Sequence, residues 1–132
     1  MPQRLLLLVA ASFAALPAAA AWDLVRGNEE MRLSIDTGSI KVQDGETRFT
    51  YLVDFRKPQG DAPGSVKYRS VVVQAAIRCK QSLISLRHTE AYTDFTGKGV
   101  SLKRERASPA EAAFRPLEKG SSDEDLHRRV CG

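Results

Sequence analysis

The sequence predicts an α+β fold, in which an antiparallel β-sheet of about six strands carries a C-terminal α-helix packed on it. Three observations favour this class. Apolar and polar residues alternate along several segments of residues 22–106, which is the period of a half-buried strand. Turn residues such as Asp44-Gly45 separate these segments. Residues 121–131 carry a helix start signal followed by apolar residues at helical spacing.

The predicted strands follow one another along the chain. They are 22–26, 31–36, 40–42, 47–55, 68–79, 82–92 and 100–106. The valine-rich segment 68–79 is apolar on both faces, which indicates a central strand. Residues 82–92 also have some helix propensity, so a helix is the alternative there. Residues 56–67 contain two prolines and two glycines and predict an exposed loop.

The C-terminal part of the sequence predicts a short helix beside a cysteine. Residues 108–113 fit a loop or a single helical turn. Ser121 and Glu124 have the spacing of a capping box, and a register one residue later is the alternative. Leu126 and Val130 lie four residues apart, so they would share one buried stripe of the helix.

Residues 1–21 have the features of a cleavable secretory signal peptide. Arg4 supplies a positive charge, residues 5–16 are apolar, and small alanines precede Trp22. A retained membrane anchor is the alternative. Against it, the apolar part is shorter than the roughly 20 residues that span a bilayer, and Pro17 interrupts it.

Cleavage of this segment would leave one exported domain, residues 22–132. No cysteine follows the cleavage region, which argues against a lipid anchor, and no later segment is apolar enough to span a membrane. The periplasm is the expected location, with the cell surface and secretion as alternatives.

Cys79 and Cys131 are the two cysteines of the chain. In an oxidising compartment an even number of cysteines predicts a disulfide. Such a bond would tie the C-terminal helix to the valine-rich strand and add roughly 4 kcal/mol of stability. A pair of free thiols is the alternative. The sequence has no Cys-x-x-Cys spacing, which argues against a redox-active dithiol.

The sequence lacks the usual signatures of catalysis. His88 and His127 are the two histidines, and a metal site would need a third ligand beside them. No nucleophile elbow and no phosphate-binding glycine loop is present. We therefore expect a protein that is not an enzyme and that has no cofactor and no metal.

Two basic groups are the candidate site for a partner. They consist of Lys103, Arg104 and Arg106, and of Arg128 and Arg129. They would suit an acidic partner, such as a polyanionic sugar or an acidic protein loop. The alternative is a solvated strand end and a favourable cationic last turn of a helix. The net charge of +4 is mild, and export argues against nucleic acid as a partner.

Several short motifs occur together along residues 22–132. They are Trp22, Ile35-Asp36-Thr37-Gly38-Ser39-Ile40, Tyr68-Arg69-Ser70, Cys79, Tyr92 before Gly97 and Gly99, Gly120-Ser121, Leu126 and Val130-Cys131. This set resembles the surface-adhesin protein E family of Gram-negative bacteria. The resemblance implies an antiparallel sheet, a C-terminal helix, and a disulfide that joins Cys79 to Cys131. It also implies an adhesin that binds host matrix or serum proteins.

The sequence departs from this family in two ways. It has no lipid-attachment cysteine, and Phe114 stands where relatives often have tryptophan. The first departure argues against display at the outer membrane. The leading hypothesis is an exported, non-enzymatic binding domain that contacts host or envelope proteins. The alternative is a structural or accessory periplasmic protein of an envelope complex.

Overall fold

Two long neighbouring strands form the centre of the fold. The computed structural model describes residues 20–60 and 63–132. Its strands are β1 Trp22–Gly27, β2 Met31–Asp36, β3 Lys41–Gln43, β4 Glu46–Gln59, β5 Tyr68–Arg78, β6 Leu83–Tyr92, β7 Ser101–Arg106 and β8 Arg115–Pro116. Its α-helices are α1 Pro109–Ala112 and α2 Ser122–Cys131, and 3₁₀ turns occupy Thr37–Ser39 and Phe95–Gly97.

All the strands belong to one antiparallel sheet. The main path runs β1-β2-β4-β5-β6-β7, while β3 pairs with β4 and β8 pairs with β6. The valine-rich strand β5 lies between β4 and β6, which is the central position that its sequence predicts. The predicted fold class, an antiparallel sheet of about six strands with a C-terminal helix, is confirmed.

One face of the sheet carries the core, because side chains alternate between the two faces along each strand. The core cluster consists of Leu33, Ile35, Phe49, Ala75, Ile77, Ile84 and Leu126. Phe49 pairs with Ala75 and Ile77 pairs with Ile84, so these side chains share a face. Leu126 comes from α2 and is only 1% exposed. Helix α2 therefore covers this side, which we call the helix face. We call the other side the open face; parts of it are also covered, because Leu52, Ser70, Ala76 and Ser85 are buried there.

The disulfide joins the end of β5 to the end of α2. The Cys79 and Cys131 sulfurs are 2.07 Å apart and the Cα atoms are 5.6 Å apart, so the predicted bond is confirmed. Ser121 caps α2 by accepting a hydrogen bond from the backbone N–H of Asp123 at 3.2 Å. Glu124 reaches back to the backbone N–H of Gly120 instead of completing a capping box with Ser121.

Two turns of the sheet agree with their sequence signals. Asp44 and Gly45 form a two-residue hairpin loop with φ angles of 52° and 76°, which are the positive values of a type I′ turn. Asp36 accepts a hydrogen bond from the backbone N–H of Gly38 at 3.1 Å. An Asp side chain is well suited to this role at the start of a turn.

The structure extends one predicted strand into a predicted loop. Strand β4 continues to Gln59, although the sequence assigned residues 56–67 to an exposed loop. The pairing with β5 shifts register between Asp54 and Gln59. Pro58 lies within this irregular stretch, where its missing N–H leaves no regular ladder bond unmade. Residues 82–92 form a strand over Leu83–Tyr92 and not a helix.

The predicted signal peptide falls almost entirely on residues 1–19, which lie outside the described residues. Within residues 20–60 and 63–132, no helix has the length and apolar character needed to cross a membrane.

Candidate functional site

Two of the predicted basic residues belong to the contact between α2 and the edge of the sheet. Arg129 donates a hydrogen bond to Asp23 of β1 at 2.6 Å. Arg26 of β1 pairs with Asp125 of α2 at 3.0 Å, and Arg128 lies 3.7 Å from the same carboxylate. Arg128 and Arg129 are therefore next to acidic partners, and Arg129 fastens the helix to β1.

Further polar contacts join α2 to the rest of the domain. His127 Nε2 lies 3.0 Å from the carbonyl oxygen of Cys79, which can only accept, so Nε2 carries the proton. Arg115 pairs with Asp123 at 2.9 Å. Burial, together with the negative charge of Asp123, raises the pKa of Tyr51 from 10.0 to about 12, and Arg115 partly opposes this shift. These contacts hold α2 on the sheet, and a depression of about 680 Å³, lined in part by His127 and Arg128, opens beside the helix.

The predicted basic residues of β7 lie at the opposite edge of the sheet. Arg104 donates to Glu90 Oε1 through Nε at 3.1 Å and Nη2 at 3.0 Å. Ser101 donates to the same oxygen at 2.7 Å. The Ser101 hydrogen bond is the largest cause that lowers the pKa of Glu90, and Tyr92 and Arg104 lower it further. Arg104 is therefore held against a carboxylate.

The structure does not bring the two predicted basic groups together. Strands β2, β4, β5 and β6 separate β7 from β1 and its contact with α2. Lys103 pairs with Glu105 at 3.2 Å. Arg106 lies opposite His88 on the open face, and no described carboxylate lies within ion-pair distance of it. Partner binding by these groups stays a prediction, and Arg106 is the member without an ion pair.

A third basic group, which the sequence analysis did not single out, surrounds one carboxylate on the open face. Arg48, Arg78 and Arg87 place guanidinium nitrogens 3.6, 3.6 and 3.7 Å from the oxygens of Glu46. These distances exceed the usual hydrogen-bond range. The Glu46 side chain is 14% exposed, whereas the three arginine side chains are 42–59% exposed. We call these three arginines the arginine cluster.

Strand register assembles the arginine cluster from three strands. Glu46 and Arg48 are two residues apart on β4, so they share a face. Arg78 ends β5. Arg87 is the extra residue of a β-bulge in β6, because the residues on either side of it pair with consecutive residues of β5. Bulges commonly re-aim a side chain, and this one adds Arg87 to the open face.

An aromatic ring lies against the cluster, and a groove opens beside it. The Phe114 ring centroid is 4.3 Å from Cζ of Arg78 and 5.5 Å from Cζ of Arg87, which is cation–π distance. The groove has a volume of about 320 Å³. Its lining residues are Ser39, Arg48, Phe49, Thr50, Gln74, Ala75 and Arg87. Polar groups thus line much of a shallow depression at the centre of the open face.

The two histidines do not form a site together. His127 belongs to α2 on the helix face, whereas His88 lies on the open face opposite Gln74. In the part of the chain that the structure describes, no group of three or more His, Cys, Asp or Glu residues is arranged to hold a metal ion.

The fold and the surfaces define a disulfide-stapled α+β domain with a helix on one face of its sheet and a cluster of arginines on the other. Residues 22–132 match the model of the family described as surface-adhesin protein E. The chain belongs to this family. A comparison with curated proteins finds no significant match.

Solved structures of Haemophilus influenzae protein E share the fold. Crystal form II of that protein has 18% identity and a TM-score of 0.61, with 86% of this chain and 96% of that chain covered. Protein E from non-typeable Haemophilus influenzae has 20% identity and a TM-score of 0.60, with coverage of 89% and 81%. A further protein E structure has 20% identity and a TM-score of 0.58, with coverage of 75% and 76%.

Proposed function

We propose that this chain is an exported, non-enzymatic, adhesin-like protein that binds another protein through the open face of its sheet. The observation that carries the proposal is the family match over residues 22–132. A member of a surface-adhesin family is expected to act by binding, and the candidate surface is basic and polar instead of catalytic.

The distribution of contacts supports the open face over the helix face. Helix α2 occupies the helix face through Leu126, the disulfide and the ion pair of Arg129 with Asp23. A partner on that side would meet the outer surface of α2, where the exposed Arg128 already lies next to Asp125. The open face offers half-exposed arginines, Thr50 and Gln74 at a shallow groove. Solvent-accessible, conformationally restrained polar groups of this kind are suited to protein recognition.

Export is part of the proposal. Residues 1–21 have the features of a secretory signal peptide. Disulfides such as Cys79–Cys131 form and persist in oxidising compartments. The character of the family favours display at the cell surface over the periplasm, which the sequence alone favours. Partners among host matrix and serum proteins follow from the family resemblance.

Protease shaving of intact cells tests surface display. A C-terminally tagged chain should be degraded by external protease while a tagged periplasmic control protein stays intact. Purified, oxidised residues 22–132 should also bind immobilised matrix or serum proteins more strongly than an unrelated disulfide-bonded protein of equal charge does.

A chain that external protease does not reach would favour the alternative, a structural or accessory periplasmic protein of an envelope complex. Protection of the chain until the outer membrane is opened, together with co-purification in an envelope complex, would contradict the adhesin proposal. A lack of binding to every immobilised host protein, with the chain folded and oxidised, would also contradict it.

A further inference from the structure

We propose that the arginine cluster and its groove form a carboxylate-binding site that receives an acidic segment of the protein partner. The inference rests on the proposed protein-binding function and adds the chemistry of the contact. The site consists of the three clustered arginines, the Phe114 ring and the groove beside them.

The charges in the cluster are not balanced. Three guanidinium groups face one carboxylate, that of Glu46, so a net charge of +2 remains at this point of the open face. Arg106 adds a further positive charge on the same face. It pairs across the sheet with His88, which in turn pairs with Gln74 at the groove. A negatively charged group entering the groove would therefore meet an attractive potential.

Within the described part of the chain, the guanidinium groups of the cluster make ion pairs with Glu46 but no hydrogen bonds. Each guanidinium group carries five N–H donors. Glu46 lies beyond hydrogen-bond distance of all three arginines, and no described side chain or carbonyl accepts a hydrogen bond from them. Arg104, by contrast, donates two hydrogen bonds to Glu90. The cluster thus presents oriented donors to an incoming acceptor.

Phe114 restricts the conformational freedom of the Arg78 and Arg87 side chains before any ligand binds. Its ring lies 4.3 Å from the Arg78 guanidinium carbon and 5.5 Å from that of Arg87. Stacked arginines lose less freedom on forming a bidentate contact, which favours affinity. Substitution of either arginine by lysine would keep the charge and lose both the stacking and the planar fork.

The shape of the site favours a peptide carboxylate over a long sugar chain. A groove of about 320 Å³ is near the lower end of ligand-pocket volumes, so it accommodates a few side chains. Thr50 and Gln74 offer hydrogen bonds to peptide amides beside the arginines. A sulfated polysaccharide would instead need a long basic track, and the basic residues of β7 and α2 lie on separate edges of the sheet.

The test measures binding of a fluorescent acidic peptide, with Glu alternating with Gly, by anisotropy at low and at physiological salt. A peptide with Gln in place of Glu is the ligand control. The R48Q/R87Q variant should weaken binding at least tenfold, because it removes two charge-assisted contacts. The matched variant K80Q/K119Q loses the same charge from exposed turns and should change the affinity less than twofold.

Two further variants sharpen the test. R48K/R87K keeps the net charge and should still weaken binding severalfold, since lysine lacks the fork geometry. E46Q removes the competing carboxylate and should tighten binding severalfold. Circular dichroism and thermal melting establish that each variant is folded, an outcome that the half-exposed arginines make expected for the arginine variants.

Several results would overturn the inference. Equal weakening by R48Q/R87Q and K80Q/K119Q would mean that only the overall charge matters. Weaker binding by E46Q, or stronger competition from a heparin-derived hexasaccharide than from unlabelled acidic peptide, would also contradict it. If R48Q/R87Q still binds the host proteins captured by the wild type, the proposed function stands and this site is wrong.

Discussion

Removal of the disulfide should destabilise the whole domain while leaving its sheet pattern intact. The variant C79A/C131A deletes the bond between the end of β5 and the end of α2. Alanine is preferred to serine because both sulfurs pack against the core cluster, where an unpaired hydroxyl would add its own penalty.

The expected magnitude follows from the length of chain that the bond closes. The two cysteines are separated by 52 positions, and loop-closure entropy for a loop of that size gives about 4 kcal/mol at 25 °C. The ion pairs of α2 contribute less. They include an exposed ion pair of Arg129 with Asp23, and such pairs contribute about 0.2–1 kcal/mol.

Urea unfolding measures this loss. With a slope of roughly 1–2 kcal/mol per molar urea, a loss of about 4 kcal/mol lowers the midpoint by about 2–4 M. Wild-type protein with its disulfide reduced is the control and should show the same midpoint as the variant. A change below about 1 kcal/mol would refute the reasoning. It would mean that the C-terminal helix is held by its noncovalent contacts or that the unfolded chain is already compact.

The remaining predictions concern three side chains. Leu126→Ala should cost about 2–5 kcal/mol in urea unfolding, because it opens a cavity between α2 and the sheet; a cost below 1 kcal/mol would contradict the core assignment. Tyr51 has a pKa of about 12 in the folded chain against 10.0 in the unfolded chain. Its contribution to the free energy of unfolding is therefore fully present below pH 10 and is lost as the pH rises toward 12. That loss amounts to about 3 kcal/mol, and Tyr51→Phe should reduce the fall in stability between pH 9 and 11.5; an unchanged fall would contradict this role. Ser70 donates to the Asp94 carbonyl at 2.6 Å and accepts from the Gly97 N–H at 3.0 Å. Ser70→Ala should cost about 1–3 kcal/mol and speed hydrogen exchange at the Gly97 amide, and unchanged exchange there would contradict this role.

Local sequence signals account for most of the fold. Alternation of apolar and polar residues predicts strands β2 and β4, because one face of each packs on the core, and the run of apolar residues in β5 predicts a central strand. The Asp44-Gly45 turn is predicted for a backbone reason, since its two residues need positive φ angles. The extension of β4 past Pro58 is not predictable in this way. It depends on a register shift against β5, which is a tertiary feature.

The arginines of the candidate site were much harder to predict from the sequence than the fold was. The two basic groups chosen there are runs of neighbouring residues, which sequence reasoning detects easily. The arginine cluster instead joins Arg48, Arg78 and Arg87 from three strands. The pairing of β4 with β5 would place the first two near each other once the register is known. Arg87 lies beside them only because of a β-bulge, and no residue pattern in β6 predicts that bulge.

The claim on which the account depends is that the chain is exported and then stapled by its own disulfide. Intact-mass analysis of the protein from its native envelope, alkylated without prior reduction, tests that claim most directly. The account predicts a chain that begins at Ala21 or Trp22, two hydrogens lighter than its reduced form and free of alkyl label. Retention of residues 1–20, or labelling of both cysteines, would contradict it.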